Sequence, residues 1–185
     1  MTLETVVYFN LDGVCKNKII KYTSYEDKHE SLKSLHQNFN RHFKDHKILD
    51  VSEDSNDSLG MALSRDYLRD KEGRLVSHIF EGGRLCIEGG KITGLKIEDK
   101  LFPAKPWTLT KYWFWFNAVY HQKELLERVL EYDAFSDINM LTAKRTFGLP
   151  AEAAALMVTV HRLGYLDAVM EDIESFAKGC YGLKL

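Results

Sequence analysis

The apolar positions of the chain change period several times, and each change marks an element. Thr5 to Phe9 (TVVYF) is β-rich and leads to Asp12-Gly13, a turn signal, so a strand is predicted there. Lys18 to Tyr22 (KIIKY) is the candidate returning strand, across a connection read as longer than a minimal hairpin loop. Leu32, Leu35, Phe39 and Phe43 recur at three and four and predict a helix over Glu30 to His46. Ile48 to Val51 reads as a short strand and Ser52 to Ser58 as a polar loop. Leu59 to Ser64 contains small residues that would let backbone approach a ligand. Arg74 to Glu81 fits strand or helix, and Lys91 to Ile97 predicts a strand interrupted by Gly94.

The densest apolar stretch runs from Phe102 to Tyr132. Leu109, Trp113, Phe116 and Tyr120 recur at helical spacing, and Leu126 and Leu130 continue the stripe. One helix is therefore predicted from an N-cap at Thr108 to about Tyr132, with Pro103 and Pro106 keeping its approach extended. Trp113 is expected in the core rather than at a base-stacking surface. Asp133 to Asp137 reads as a break, and a further helix is predicted from near Ser136 to Gly148. Pro150 suits the first turn of a helix through Leu163, which Gly164 stops. Ala151, Ala153, Ala154 and Ala155 would let it pack closely on the aromatic helix. Asp167 to Lys178 predicts a last amphipathic helix. The helices around FGLPA look superficially like a helix-turn-helix, but the second is too apolar to read DNA.

Bulk properties narrow the classes. The 185 residues suit one domain, 1–185. A net charge of −2 implies neither a generally basic nucleic-acid binder nor an acidic mimic. Cys15, Cys86 and Cys180 form no disulfide framework or zinc spacing and suggest a reducing cytoplasm. No apolar run reaches membrane-spanning length, and no signal-peptide pattern is read at the N-terminus. His42 and His46 stand four apart but read as a solvated face, so no metal is expected. The Gly82-Gly83 and Gly89-Gly90 pairs match neither a P-loop nor a dinucleotide fingerprint. A soluble cytoplasmic globular domain is expected.

The order of motifs resembles the NADAR family, in its antitoxin branch paired with toxins that ADP-ribosylate guanine in DNA. The resemblance runs through Ser34-Leu35-His36, Ile48 to Ser52, Ser58 to Ser64 and Val76 to Arg84 (VSHIFEGGR). It continues through Phe102 to Tyr120, Leu130 to Ile138 (LEYDAFSDI) and Ala153 to Leu166 (AAALMVTVHRLGYL). It implies an α+β, mainly helical domain whose pocket holds ADP-ribose linked to guanine. The implied reaction is hydrolysis of the N-glycosidic bond, through a lysine Schiff base assisted by a carboxylate, with no cofactor. A neutral primary amine is what that chemistry needs. This sequence departs from the family pattern at the matching positions. Ser77 stands for a glutamate, Glu81 for a glutamine and Arg84 for the lysine, while Arg65-Asp66-Tyr67 and Tyr112 replace other pocket residues. An arginine cannot form the Schiff base.

Two functions follow. In the first, an N-glycosidase works with substitute groups: Glu81 or Asp137 as acid or base, and Lys91 as the replacement amine. Taken singly, each of these three reads first as a solvated surface charge. In the second, the fold binds ADP-ribose, modified DNA or a toxin without turnover, and Arg84 clamps a pyrophosphate. A third possibility, a phage or mobile-element protein that binds a host defence component, stays open. Ser64, Arg65, Ser77, Phe80, Arg84 and Tyr112 are the expected ligand-binding residues. Ser58 to Tyr67 is expected to form one pocket wall facing Phe80 to Arg84. The expected partners are ADP-ribose or an ADP-ribosylated guanine nucleotide or DNA, and a cognate ADP-ribosyltransferase toxin.

Overall fold

A computed structural model describes residues 1–139 and 150–184. Its first element is a hairpin of β1 (Thr2–Leu11) and β2 (Val14–Thr23). Asp12 and Gly13 alone join the strands, with φ of 52° and 77°. The connection is therefore minimal rather than long, because both turn residues accept the left-handed conformation that a two-residue turn requires. Helix α1 (Lys28–His42) follows, capped by Asp27, whose carboxylate accepts from the His29 N–H at 2.8 Å. Strand β3 (Ile48–Asp50) leads to α2 (Ser58–Leu63) and then α3 (Val76–Glu81), so the ambiguous stretch before Glu81 is helical.

A separate three-stranded antiparallel sheet comes next: β4 (Arg84–Glu88), β5 (Lys91–Ile97) and β6 (Lys100–Phe102). Its register slips between Cys86 and Ile87. The aromatic stretch forms α4 (Trp107–Tyr120) and α5 (Lys123–Val129), two helices where one was predicted. The break is held by Gln122, whose side-chain amide donates to the Ala118 and Arg69 carbonyls at 2.7 and 2.8 Å. Pro106, after a cis peptide bond, occupies the N-cap position expected for Thr108.

The segment expected to be a break is β7 (Ala134–Ser136), the strand that completes the main sheet. That sheet has the order β2-β1-β7-β3, with β7 antiparallel to β1 and parallel to β3. Three buried residues are too short a run for periodicity to reveal. The helix predicted from near Ser136 begins instead with a strand end and a turn at 138–139; residues 140–149, with the start of FGLPA, lie outside the described residues. Helix α6 (Pro150–Arg162) ends before Gly164, at φ 78°, as expected. The last predicted helix divides into α7 (Leu166–Val169) and α8 (Ile173–Tyr181). Among the described residues no helix is long and apolar enough to cross a membrane. Helices and sheets together give the α+β class.

Alternation along β1 separates two cores. Val7 and Phe9 face α1 and pack with Leu32, Leu35 and Phe39. Val6 and Tyr8 face the other way, towards α4, α6 and α8. The α6 alanines Ala151, Ala153, Ala154 and Ala155 are all buried there, in the same cluster as the α4 aromatics. Trp113 is only half-buried, edge-on to Phe176 at 5.5 Å, so the stripe expected through Trp113 is displaced. Tyr112, Trp115 and Phe116 are the buried aromatics of α4. Phe116 is fully buried, with its ring 4.9 Å from that of Phe176. Phe116→Ala should cost roughly 3–5 kcal/mol. Urea denaturation would read this as a lower midpoint at unchanged slope; a shift under about 1 kcal/mol would contradict the packing.

Candidate functional site

The C-terminal ends of β3 and β7 lie side by side, and one buried carboxylate ties them together. Asp50 accepts from the Ser52 N–H at 3.1 Å, from the Ser52 hydroxyl, from Ser136 Oγ at 2.9 Å and from the Ile138 N–H at 2.9 Å. Burial raises the Asp50 carboxyl, and those hydrogen bonds oppose the rise. Helix α2 must come close to this point. A Cβ at Gly60 would stand 1.9 Å from the Asp50 carbonyl oxygen and 2.3 Å from Ser55 Oγ. The small-residue stretch read as a ligand loop is therefore a helix, and its glycine serves helix–strand contact.

The turn from Ser136 to Ile138 presents Asp137 to a cavity of about 490 Å³. One side of the cavity is Ser64 and Arg65, just after α2. Opposite stand Ser77, Phe80 and Glu81 of α3, with Gly83 just after it and Leu85 and Leu95 from the small sheet. Trp107, Lys111, Tyr112 and Trp115 supply a third wall, one face of α4 at spacings near four. Arg65 and Glu81 join the two sides through an ion pair at 2.7 Å. The walls expected from Ser58 to Tyr67 and from Phe80 to Arg84 thus meet, through Ser64, Arg65, Phe80, Glu81 and Gly83.

Seven of the nine residues singled out in the sequence line this cavity: Ser64, Arg65, Ser77, Phe80, Glu81, Tyr112 and Asp137. The other two stand apart from it. Arg84 is exposed at the start of β4, and Lys91 is exposed beside the Gly89-Gly90 turn. Among the described residues the amine that lines the cavity is Lys111, which the sequence reading missed. It is the only charged residue in α4, set between Trp107 and Trp115 at spacings of four. That isolation in an apolar helix was the available signal.

The chemistry of the walls follows from burial. Asp137 is pushed up to about 7, chiefly by burial and then by the negative charge of Asp50; Glu53 and Asp66 add to it, and the Asn139 N–H opposes it. Lys111 is lowered, first by burial and then by the Arg65 guanidinium, with Glu81 working against the shift. Its Nζ stands 4.9 Å from the centre of the Phe80 ring. Loss of solvent thus moves a carboxyl and an amine towards their neutral forms in the same cavity. Tyr112 donates to Glu152 and is raised by burial and that carboxylate, so its phenol keeps its proton. Ser64 Oγ is buried and has no hydrogen-bond partner among the described residues. Among the described residues no group of three or more His, Cys, Asp or Glu is placed to hold a metal. His42 is exposed at the end of α1. Cys15 and Cys180 are both raised to about 12 by burial and remain thiols at neutral pH.

The Asp137 shift has a consequence for stability. Its folded value, about 7, lies above the ordinary 3.8, so the native state favours the protonated carboxyl. Its destabilising effect is absent below pH 4, grows between about pH 4 and 7, and is complete above that, reaching at most about 4 kcal/mol. Asp137→Asn should therefore gain stability relative to the parent chain as pH rises through that window. Denaturant midpoints of both proteins across the window would check this, and a constant difference would contradict a raised Asp137.

A family model described as the DarT1-associated NADAR antitoxin matches residues 15–90 and 82–184. Ser64 to Glu81 fall in the first matched segment, and Lys111, Tyr112 and Asp137 in the second. No curated protein matches the chain. With nearly the whole length matched and the cavity spanning both segments, the chain belongs to the DarT1-associated NADAR antitoxin family.

Proposed function

We infer that this protein hydrolyses the N-glycosidic bond between ADP-ribose and guanine in DNA, reversing the modification made by a cognate toxin. The toxin partner is supported by the family description, which associates these antitoxins with DarT1. One observation carries the chemistry: an amine and a carboxyl, both shifted towards neutrality, line one cavity of about 490 Å³. That volume suits a nucleotide-sized ligand.

In this reading Lys111 takes the part of the family lysine. Its neutral Nζ attacks the ribose carbon bonded to guanine. Asp137, protonated, gives its proton to the leaving base as the carbon–nitrogen bond breaks. The ribosyl-amine opens to an imine; Asp137 then takes a proton from water as the hydroxyl adds to the same carbon. The amine departs protonated by the enzyme and ADP-ribose is released, one water having been consumed. Arg65 is suited to a pyrophosphate oxygen, Phe80 and Trp115 to ring contacts, and Ser64 Oγ and Ser77 to ribose hydroxyls. Glu81, ion-paired with Arg65, orients that guanidinium rather than moving protons.

One observation favours the non-catalytic module: Arg84, at the family lysine position, is exposed and outside the cavity lining. Borohydride treatment of the protein with an ADP-ribosylated guanine oligonucleotide separates the readings. The hydrolase reading expects turnover and an adduct on Lys111 by peptide mapping. Lys111→Arg should abolish both, and Asp137→Asn should lower kcat by about 10²–10⁴. Tight binding without turnover or adduct would establish the module, and an adduct on Lys91 would overturn the part given to Lys111.

A further inference from the structure

A second depression lies on the opposite face of the main sheet. It is a shallow groove of about 800 Å³ along α1, closed on one side by Asn56 of the loop between β3 and α2. Three cations line it, Lys33, Arg41 and Lys44, against one carboxylate, Glu30. All three cations are exposed. Lys33 makes only a 3.7 Å contact with Glu30, while Arg41 and Lys44 make no ion pair among the described residues. The chain as a whole carries a charge of −2, so this clustering runs against its balance.

His36 is the second observation. It lines the groove at its centre, burial holds it down at about 4, and its Nε2 has no hydrogen-bond partner among the described residues. That nitrogen is shut away from solvent, so the groove's contacts with a ligand come from the exposed Gln37 and Asn40 amides and the cations, donors that suit oxygen acceptors. Lys33 and Arg41 are eight residues apart on α1, about 12 Å along the helix axis. That span covers three to four phosphate steps of a nucleic acid strand, at about 3.4 Å each.

The loop that closes the groove also acts, through the charge of Glu53, on the Asp137 carboxyl that lines the cavity. Asn56 lines the groove, whereas Glu53 accepts from the Asn139 side-chain amide at 3.5 Å and its charge acts on Asp137. Of the other carboxylates on this loop, Asp54 is paired with Lys28 at 3.3 Å and Asp57 caps α2. We propose that the α1 groove binds the sugar-phosphate backbone of the nucleic acid strand whose modified base enters the cavity. The identity of that strand rests on the hydrolase reading; the groove's affinity for polyphosphate backbone does not. The charges position the strand and carry no sequence information.

The test separates the two. Fluorescence anisotropy with an unmodified labelled oligonucleotide, single- and double-stranded, is followed against salt. Lys33→Gln/Arg41→Gln/Lys44→Gln should weaken binding by at least about tenfold at low salt and reduce the log–log salt slope by roughly two on single strands and nearer three on duplex. The control Lys123→Gln/Lys178→Gln removes two exposed charges elsewhere and should leave the slope unchanged. All five side chains are exposed, so melting should not move; Lys44→Gln alone should still lower the slope by about one. Hydrolysis of an ADP-ribosylated guanine mononucleotide should be untouched in the triple variant, while KM for the modified oligonucleotide rises. Unchanged anisotropy in the triple variant, or equal weakening in the control, would overturn the groove. So would loss of toxin binding with oligonucleotide binding intact, which would assign the surface to a protein. Backbone binding that depends on the groove, in a protein with no turnover, would leave the groove standing and sink the hydrolase.

Discussion

A carboxylate shut away from water, Asp50, is the constraint on which the functional end of this molecule depends. It closes β3, and its oxygens gather donors from Ser52, Ser136 and Ile138, joining two strands that are parallel neighbours but distant in sequence. A donor left there without its acceptor would cost about 1–3 kcal/mol, so the turn from Ser136 to Ile138 has little freedom. Asp137 projects from that turn. Its place at the cavity follows from Asp50, while its raised affinity for a proton comes chiefly from burial, with the charge of Asp50 adding to it.

The cavity works by desolvation acting with opposite sign on opposite charges. Burial favours the protonated carboxyl of Asp137 and the deprotonated amine of Lys111. Burial thus moves each group away from its usual state and towards the form that the inferred bond cleavage needs. The ion pair of Arg65 with Glu81 spans the walls and keeps a guanidinium near Lys111, which pushes the amine further the same way. Packing supplies the rigidity: α4 is held by Phe116 against Phe176 and by the alanine face of α6, so its cavity face is fixed from behind.

Much of this was legible in the order of motifs, and the misses have physical causes. The hairpin strands, α1, β5 and α6 follow from periodicity and turn residues, whereas β4 and β6 gave no strand signal and complete their sheet by pairing with β5. The expected walls around Ser64 and Phe80 come together because the motifs that carry them flank the same end of the sheet. β7 was not legible, because Ala134, Phe135 and Ser136 are too few to show a period and gain strand geometry only between β1 and β3. The break after Tyr120 depends on a Gln122 amide reaching the Arg69 carbonyl, a contact made by the tertiary fold. Lys91 attracted attention through proximity in sequence to the diverged Arg84, yet the Gly89-Gly90 turn sets it at an exposed tip. Lys111 was hidden by its aromatic neighbours, although a lone cation in an apolar helix needs a reason to be there.

If Lys111 is the reactive amine of the cavity, its nucleophilicity should emerge ahead of that of the exposed lysines. Competitive acylation with acetic anhydride across a pH series, read lysine by lysine by mass spectrometry, measures this directly. Lys111 should become reactive at lower pH than Lys91 and Lys100, and ADP-ribose should protect it while leaving those two unaffected. Lys111 titrating with the exposed lysines, or reacting equally in the presence of ADP-ribose, would contradict that role.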